Sequence, residues 1–419
     1  MEAVERALAA IQARDGAINA FTAVLARRAR ATLKKKRRGP LAGVPFAVKN
    51  LFDVKGLTTL AGSKINRERP AAKRDAPLIE RLEAAGAVLV GTLNMDEYAY
   101  GFSTENTHYG PTRNPHNTAH VAGGSSGGSG AAVAAGMVPL TLGSDTNGSI
   151  RVPASFCGVW GLKPTFGRLN REGAFPFVNS LDHVGPLAES VDLLARAYDA
   201  MQDGKRVAGL RSLTGLRIAR AVGYFEENAE PEVVEMVKDA CRSLGARKTV
   251  EIPEAARGRA AAFVITAAEG GQLHLPNLRT RPQDFEPLIV ERLMAGALIP
   301  SSWYLQAQRV RRWYYRKVMQ LFESVDVILA PATPRPAQKI GQDTFTVRGR
   351  EMLARPNAGL LTQPISCIGL PVVCAPVGKV DGLPVGMQII AAPWREDHCF
   401  RVARALAGNW GRTPFKMEG

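Results

Sequence analysis

Three places in the chain carry residues whose type and neighbourhood suit chemistry. They are Lys49 at the end of the apolar run "GVPFAV", the serines of "VAGGSSGGSG" at 121–130, and Ser149 in "GSDTNGSIRVP". A serine hydroxyl becomes a useful nucleophile only when a base takes its proton. A phosphate-binding loop is excluded, because no Lys-Ser/Thr pair follows the glycines at the required offset. Two nucleophile readings remain. Gly124 to Gly128 satisfies GxSxG, which makes Ser126 the nucleophile, with His183 or Asp397-His398 downstream as partners. The doubled glycines around it are not what a strained elbow needs. In the second reading Ser149 attacks, and the backbone N–H groups of Thr146, Asn147, Gly148 and Ser149 form a nest for the oxyanion. A second serine then relays the proton to a base. A lysine in a dry pocket can be that base, since desolvation favours its neutral form. Lys49 qualifies, because it ends an apolar run while most other lysines sit among charges. Taken singly, Ser149 reads as a helix cap and Lys49 as a strand-end surface group.

The flanking elements are those of a layered α/β protein. "GVPFAV" is a buried strand. "DAPLIERLEAAG" is a helix followed by the continuous apolar strand "AVLVG". Apolar strands without alternation indicate a sheet covered by helices on both faces. "GSGAAVAAGM" is a small-residue helix, and "VPLTLGSD" is a strand feeding the Ser149 loop. "LPVVCAPVGKVDGLPVGMQII" is a hairpin about Asp381-Gly382. The opening helix ends near Asp15-Gly16. Residues 255–320 read as a mostly helical, cap-like insertion. The simplest organisation is one domain over 1–419, with its core at about 40–200 and 320–410.

Composition narrows the class. The chain has 419 residues, 46% hydrophobic and 22% charged, as in an ordinary globular protein. Its five cysteines are scattered without a CxxC pair, so neither a metal knuckle nor a disulfide framework is expected, and free thiols fit a cytoplasmic chain. No apolar run is long enough to cross a bilayer, and the acidic, amphipathic start is no signal peptide. The net charge of +16 invites a nucleic-acid partner, but no nucleic-acid module or aromatic–basic repeat supports one. Lys34 to Arg38 reads as a solvated connection between the first helix and the strand ending at Lys49. Asp96-Glu97 reads as scaffold, and His183 as packing near the site.

The stretches "GVPFAVKNLFDVKG", "GTLNMDEYAYGFSTEN", "YGPTRNP", "GGSSGGSGAAVAAG", "LGSDTNGSIRVPASFCGVWGLKPTFGRL" and "LPVGMQII" resemble the amidase signature family along nearly the whole chain. The resemblance implies a single α/β/α domain around a large mixed β-sheet. It also implies a triad of lysine, cis-bonded serine and nucleophilic serine, which falls on Lys49, Ser125 and Ser149. Their serine spacing, 149 − 125 = 24, is that of the family. Thr146 to Ser149 then form the oxyanion hole, Gly123 and Gly124 flank the substrate, and Ser126 and Asp145 support the loops. No cofactor and no metal is implied.

Within the family, "SSWYLQAQRVRRWYY" resembles the arginine-bearing helix of the amidase component of the tRNA-dependent glutamine amidotransferases, and Arg311 falls on the arginine that grips a substrate carboxylate. Those proteins place an aspartate shortly before the T-x-P of "GLLTQP", where this chain has Gly359. Without that anion a buried ammonium lacks its partner. Further stretches, among them "FPFVNSLDHVGP", "IGQDTF" and "AAPWRED", are similar to the 1-carboxybiuret hydrolases. The expectation is therefore an amidohydrolase that releases ammonia from a small anionic amide. Arg311, with Arg309 beside it, would bind the anionic end, with Tyr304 and Gln363 as further pocket residues. The expected partners are a second copy, giving a homodimer, and a small companion subunit. The alternatives are a glutaminase working with a tRNA-dependent partner, and a broad-specificity amidase.

Overall fold

In the computed structural model, residues 2–35 and 38–409 are described. Eleven strands form one mixed sheet. In chain order they are β1 (Phe21–Val24), β2 (Pro45–Lys49), β3 (Val88–Leu93), β4 (Leu140–Asp145), β5 (Trp160–Lys163), β6 (His183–Ala188), β7 (Ile218–Val222), β8 (Lys248–Glu251), β9 (Val327–Pro331), β10 (Val372–Val380) and β11 (Leu383–Ala391). Their spatial order is β1-β3-β2-β4-β6-β5-β10-β11-β9-β7-β8. β2 runs parallel to both β3 and β4, while β6 is antiparallel to β4. β10 and β11 pair from Val372↔Ile390 to Val380↔Leu383, so the turn falls on Asp381 and Gly382.

Alternation of side chains divides the strands between two cores. Phe46, Val48 and Leu89 face one core, together with helix α3 (Pro77–Ala84) and the helices at Val191–Met201, Pro231–Ser243 and Glu396–Asn409. Ala47, Val88 and Val90 face the other. That second core is closed by α1 (Glu2–Ile18), α2 (Ala26–Lys34), α4 (Gly127–Ala134) and α5 (Arg151–Cys157). Three long helices follow β8: α6 (Ala255–Thr280), α7 (Pro287–Ala297) and α8 (Ser301–Leu321). A short helix, α9 (Gln363–Cys367), packs against α6.

The N-terminal region is more structured than its sequence reading. α1 continues two residues beyond Gly16, and β1 and α2, which the sequence reading did not distinguish, lie between α1 and the basic stretch at Lys34 to Arg38. Lys34 closes α2. Lys36 and Arg37 lie outside the described residues. No helix among the described residues is long and apolar enough to cross a membrane.

Candidate active site

Lys49 is placed by register. Val48 pairs with Leu142 across the parallel β2–β4 ladder, which sets the last residue of β2 beside Gly143 and Ser144. Its side chain is fully buried. Nζ lies 2.6 Å from Ser125 Oγ and 2.9 Å from Ser144 Oγ. Burial pushes its pKa from the ordinary 10.5 down to about 7, against the opposing pull of the Asp96, Asp145 and Asp182 carboxylates. The amine is therefore substantially uncharged at neutral pH. Ser144 is a contact that the sequence reading missed. Its signal was the apolar strand "VPLTLG", which had to lie beside "GVPFAV" in the sheet.

Ser125 is fully buried, and the Gly124–Ser125 peptide is cis. Main-chain bonds hold its loop from several directions. Asp96 N donates to Ser125 O (3.3 Å), Gly127 N to Thr104 Oγ1 (3.1 Å) and Gly128 N to Asn94 O (3.1 Å). Ser126 N donates to Ser149 O (3.2 Å), which ties the Ser125 loop directly to the Ser149 loop. Ser126 Oγ donates to Ser144 O (3.1 Å) and accepts from Ser144 N (3.2 Å). Its hydroxyl is committed to β4, and no histidine bonds to it among the described residues. His398 instead sits with Asp397 and Arg395.

Gly124 fills a space that admits nothing larger. A Cβ there would lie 2.0 Å from Asp96 Oδ2 and 2.5 Å from Ser103 N. Asp96 cannot swing away, because it is buried and its Oδ2 accepts from Thr104 N at 3.0 Å. The Gly124→Ala protein is expected to lose about 1–3 kcal/mol by overpacking, read as a lower midpoint in denaturant. An unchanged midpoint would refute the tight packing. Gly123 lies against Pro153 of α5 with φ 84°.

Ser149 is 2% exposed, in the turn between β4 and α5. The N–H groups of Asn147, Gly148 and Ser149 have no acceptor among the described residues. The neighbouring Ile150 N is taken by Asp145 Oδ2 at 3.3 Å. Carbonyl groups of the turn point elsewhere: Gly148 O accepts from Val152 N (2.7 Å) and Asn147 O from Thr362 Oγ1 (2.7 Å). The turn thus presents free donors beside a hydroxyl, an arrangement suited to developing negative charge. Thr146 Oγ1 donates to Asp182 Oδ1 at 2.7 Å, which fixes the start of the turn.

Asp145 and Arg151 brace the turn from beneath. Both are fully buried, with Nε to Oδ2 at 2.9 Å and Nη2 to Oδ1 at 3.0 Å. Burial would raise the Asp145 pKa, but the Arg151 guanidinium overrides it and holds the carboxyl well below the usual range. Arg151 Nη1 also reaches Gln388 Oε1 (2.7 Å) and Thr362 O (3.1 Å), tying the turn to β11 and α9. His183 is packed behind the turn, as expected. Its Nδ1 lies 2.7 Å from Leu181 O and 3.1 Å from Asp145 O, so that nitrogen carries the proton. Nε2 faces the fully buried Lys163 Nζ at 3.3 Å.

A small cleft, open to solvent, lies over Ser149. Thr146, Asn147, Tyr100, Phe177, Arg292 and Gln363 are among its lining residues. Gln363 Oε1 accepts from Arg259 Nε at 2.7 Å, so its amide hydrogens remain for a ligand acceptor. Arg311 and Tyr304 do not line this cavity. Arg311 donates to Cys367 O (2.6 Å) and Ser180 O (2.9 Å), and Tyr304 OH donates to Glu269 Oε1 (3.0 Å). Arg309 is exposed on α8. The structure therefore brings Lys49, Ser125 and the 146–149 turn together and leaves Arg309, Arg311 and Tyr304 off the cavity wall. Arg292, which the sequence reading passed over, takes a place on it.

The amidase family model matches residues 2–400. The AtzE chain of 1-carboxybiuret hydrolase from Pseudomonas sp. (strain ADP) is 58% identical over 426 residues, covering 96% of this chain and 93% of that protein. The A-type chain of the glutamyl-tRNA(Gln) amidotransferase of Methanosarcina mazei is 38% identical, over 90% of this chain and 86% of that one. Among solved structures, a chain from a vestigial protein complex bearing on the origins of an s-triazine catabolic enzyme superposes with a TM-score of 0.93. It is 57% identical and covers 96% of this chain and 93% of its own. With a buried lysine–serine pair, a donor-lined turn and these relatives in agreement, the chain belongs to the amidase signature family and is a hydrolase of amide C–N bonds.

Proposed function

We propose that this protein hydrolyses a small anionic amide of the 1-carboxybiuret type, with Ser149 as nucleophile, Ser125 as proton relay and Lys49 as base. The observation that carries the reading is the amine of Lys49, sealed from water and 2.6 Å from Ser125 Oγ. As Ser149 Oγ attacks the amide carbon, its proton passes to Ser125 Oγ, whose own proton passes to neutral Lys49. The carbonyl oxygen gathers charge against the free N–H groups of the 147–149 turn. Collapse breaks the C–N bond, and the proton returns through Ser125 to the leaving ammonia. Water then enters along the same relay, adds to the acyl-enzyme, and frees the carboxylate and Ser149.

Two observations favour an anion without an ammonium. The relative at 58% identity is part of a 1-carboxybiuret hydrolase. Gly359 also abuts Phe102, so that a Cβ there would lie 2.3 Å from its ring. No aspartate fits where glutaminases of the family hold the glutamine ammonium. A companion chain or second copy belongs to this reading. The strongly exposed Leu298, Leu305 and Trp303 at the α7–α8 junction agree with it.

Ammonia release from 1-carboxybiuret, biuret, glutamine, indoleacetamide and simple aliphatic amides tests the assignment. 1-Carboxybiuret is expected to give the highest kcat/KM, and a preference for glutamine or a neutral amide would overturn the substrate. Because Lys49 acts as the neutral amine, kcat/KM is expected to rise with pH, with a midpoint near 7, and to level off above it. A rate that fell across that range would remove Lys49 as base.

A further inference from the structure

Two arginines near the cleft over Ser149 are already committed to α9 and its neighbours. Arg311 spends its donors on the carbonyls of Cys367 and Ser180, and Arg259 on the side chains of Gln363 and Asn357. Arg292 is different. It reaches the cavity wall from α7 and makes no hydrogen bond or ion pair among the described residues. Its guanidinium carbon lies 3.9 Å from the centre of the Tyr100 ring. A guanidinium held over an aromatic face in this way keeps its N–H donors free for a carboxylate.

Asn147, which also lines this cleft, carries a second unspent group. The residue is 7% exposed, and its Nδ2 donates to Thr266 Oγ1 at 2.8 Å. Its Oδ1 is buried without a donor. A buried acceptor left unpaired is costly, so an arriving N–H is favoured there over a methylene. Besides the N–H groups of the 147–149 turn and the amide hydrogens of Gln363, the lining residues thus hold one uncommitted charged donor, Arg292, and one unpaired neutral acceptor, Asn147 Oδ1.

We infer that Arg292 and the side chain of Asn147 together select the substrate: Arg292 takes the carboxylate at the far end of the acyl group, and Asn147 Oδ1 accepts the N–H beside the reacting carbonyl. The inference rests on the proposed amidohydrolase reading and narrows its substrates to anionic ureido amides. It moves anion recognition from α8 to α7.

Four amides of equal chain length separate the two contributions. 1-Carboxybiuret and triuret share the ureido chain and differ in ending as carboxylate or carboxamide. Glutaramate and glutaramide differ in the same way but carry methylenes in place of both N–H groups and the central carbonyl. The wild-type protein is expected to favour the anion within each pair, measured as kcat/KM. Arg292→Ala should shrink that preference on the order of 30-fold, and Arg292→Lys should restore part of it. Asn147→Leu should shrink the ureido-over-methylene preference about 10-fold, while Asn147→Asp, which keeps an acceptor oxygen, should retain more of it. A charge preference that survives in Arg292→Ala, or is missing from the wild type, overturns the role of Arg292. A ureido preference that survives in Asn147→Leu overturns that of Asn147. A wild type idle on 1-carboxybiuret, whose glutaramate preference still collapses in Arg292→Ala, removes the proposed substrate and keeps the arginine. Hydrolysis of none of the four overturns both.

Discussion

Ser149→Ala is expected to lower ammonia release by at least about 10⁴-fold, with the protein still folded. The size follows from what is removed. Without the hydroxyl no acyl-enzyme forms, and only the donor-lined turn remains to assist attack by water. Folding should survive, because Ser149 takes part in the surrounding structure through its main-chain oxygen, which accepts from Ser126 N. An alanine keeps that bond. Lys49 and Ser125 would also keep their 2.6 Å contact, so the loss would report the nucleophile rather than a collapsed site. The decisive measurement is steady-state ammonia release on the best substrate, alongside a circular dichroism spectrum. Full activity in a folded Ser149→Ala protein would end the assignment of all three residues.

Asp145→Ala is expected to cost about 3–5 kcal/mol of folding stability, because it strands a guanidinium deep in the interior. Arg151 is fully buried and directs two of its nitrogens at the Asp145 carboxylate. With net stabilities typically about 5–15 kcal/mol, that is a large fraction of the whole. Replacing both partners by apolar residues, as in Asp145→Leu with Arg151→Met, should recover much of the loss, since desolvation penalises the lone charge more than the absent pair. Denaturant midpoints of Asp145→Leu, Arg151→Met and the double variant give the coupling. The double variant should remain poorly active even where it is stable. Ile150 N would lose its acceptor at Asp145 Oδ2, and the turn carrying Ser149 would lose its brace. Strictly additive losses would show that the two groups do not act as a pair.

The chemistry was more legible than its surroundings. Lys49 at the end of an apolar run and Ser149 in a glycine-flanked turn could be picked out as candidates from the residues, whereas Ser125 is singled out only by the resemblance to the amidase signature family. The β10–β11 hairpin was readable from the residues too, since Asp381-Gly382 is a local turn signal between two apolar runs. β1 and α2 were not legible. α2 is rich in arginine, and its buried residues Ala29 and Thr32 are small, so no apolar stripe marks it. Arg292 was missed because nothing in "LIVERLMAG" marks it as a ligand; only the packing of α7 beside Tyr100 does so. Arg311 illustrates the converse. The resemblance assigns it a carboxylate, whereas its guanidinium is bonded to two main-chain carbonyls. Partners brought from elsewhere in the chain decide what a side chain has left to offer.

Lys49 and Lys163, on separate strands of the one sheet, both lie fully buried with pKa values brought from 10.5 to about 7, chiefly by desolvation. In the unfolded chain both regain their ordinary basicity. Between about pH 7 and 10.5 unfolding therefore takes up protons from solution, so the folded state gains stability as pH rises through that window. As pH falls toward 7 the gain disappears, and below it the full penalty of housing two ammonium groups remains. At neutral pH the native molecule thus holds less positive charge than the +16 its sequence counts, and alkaline solution relieves an electrostatic burden that the fold otherwise bears.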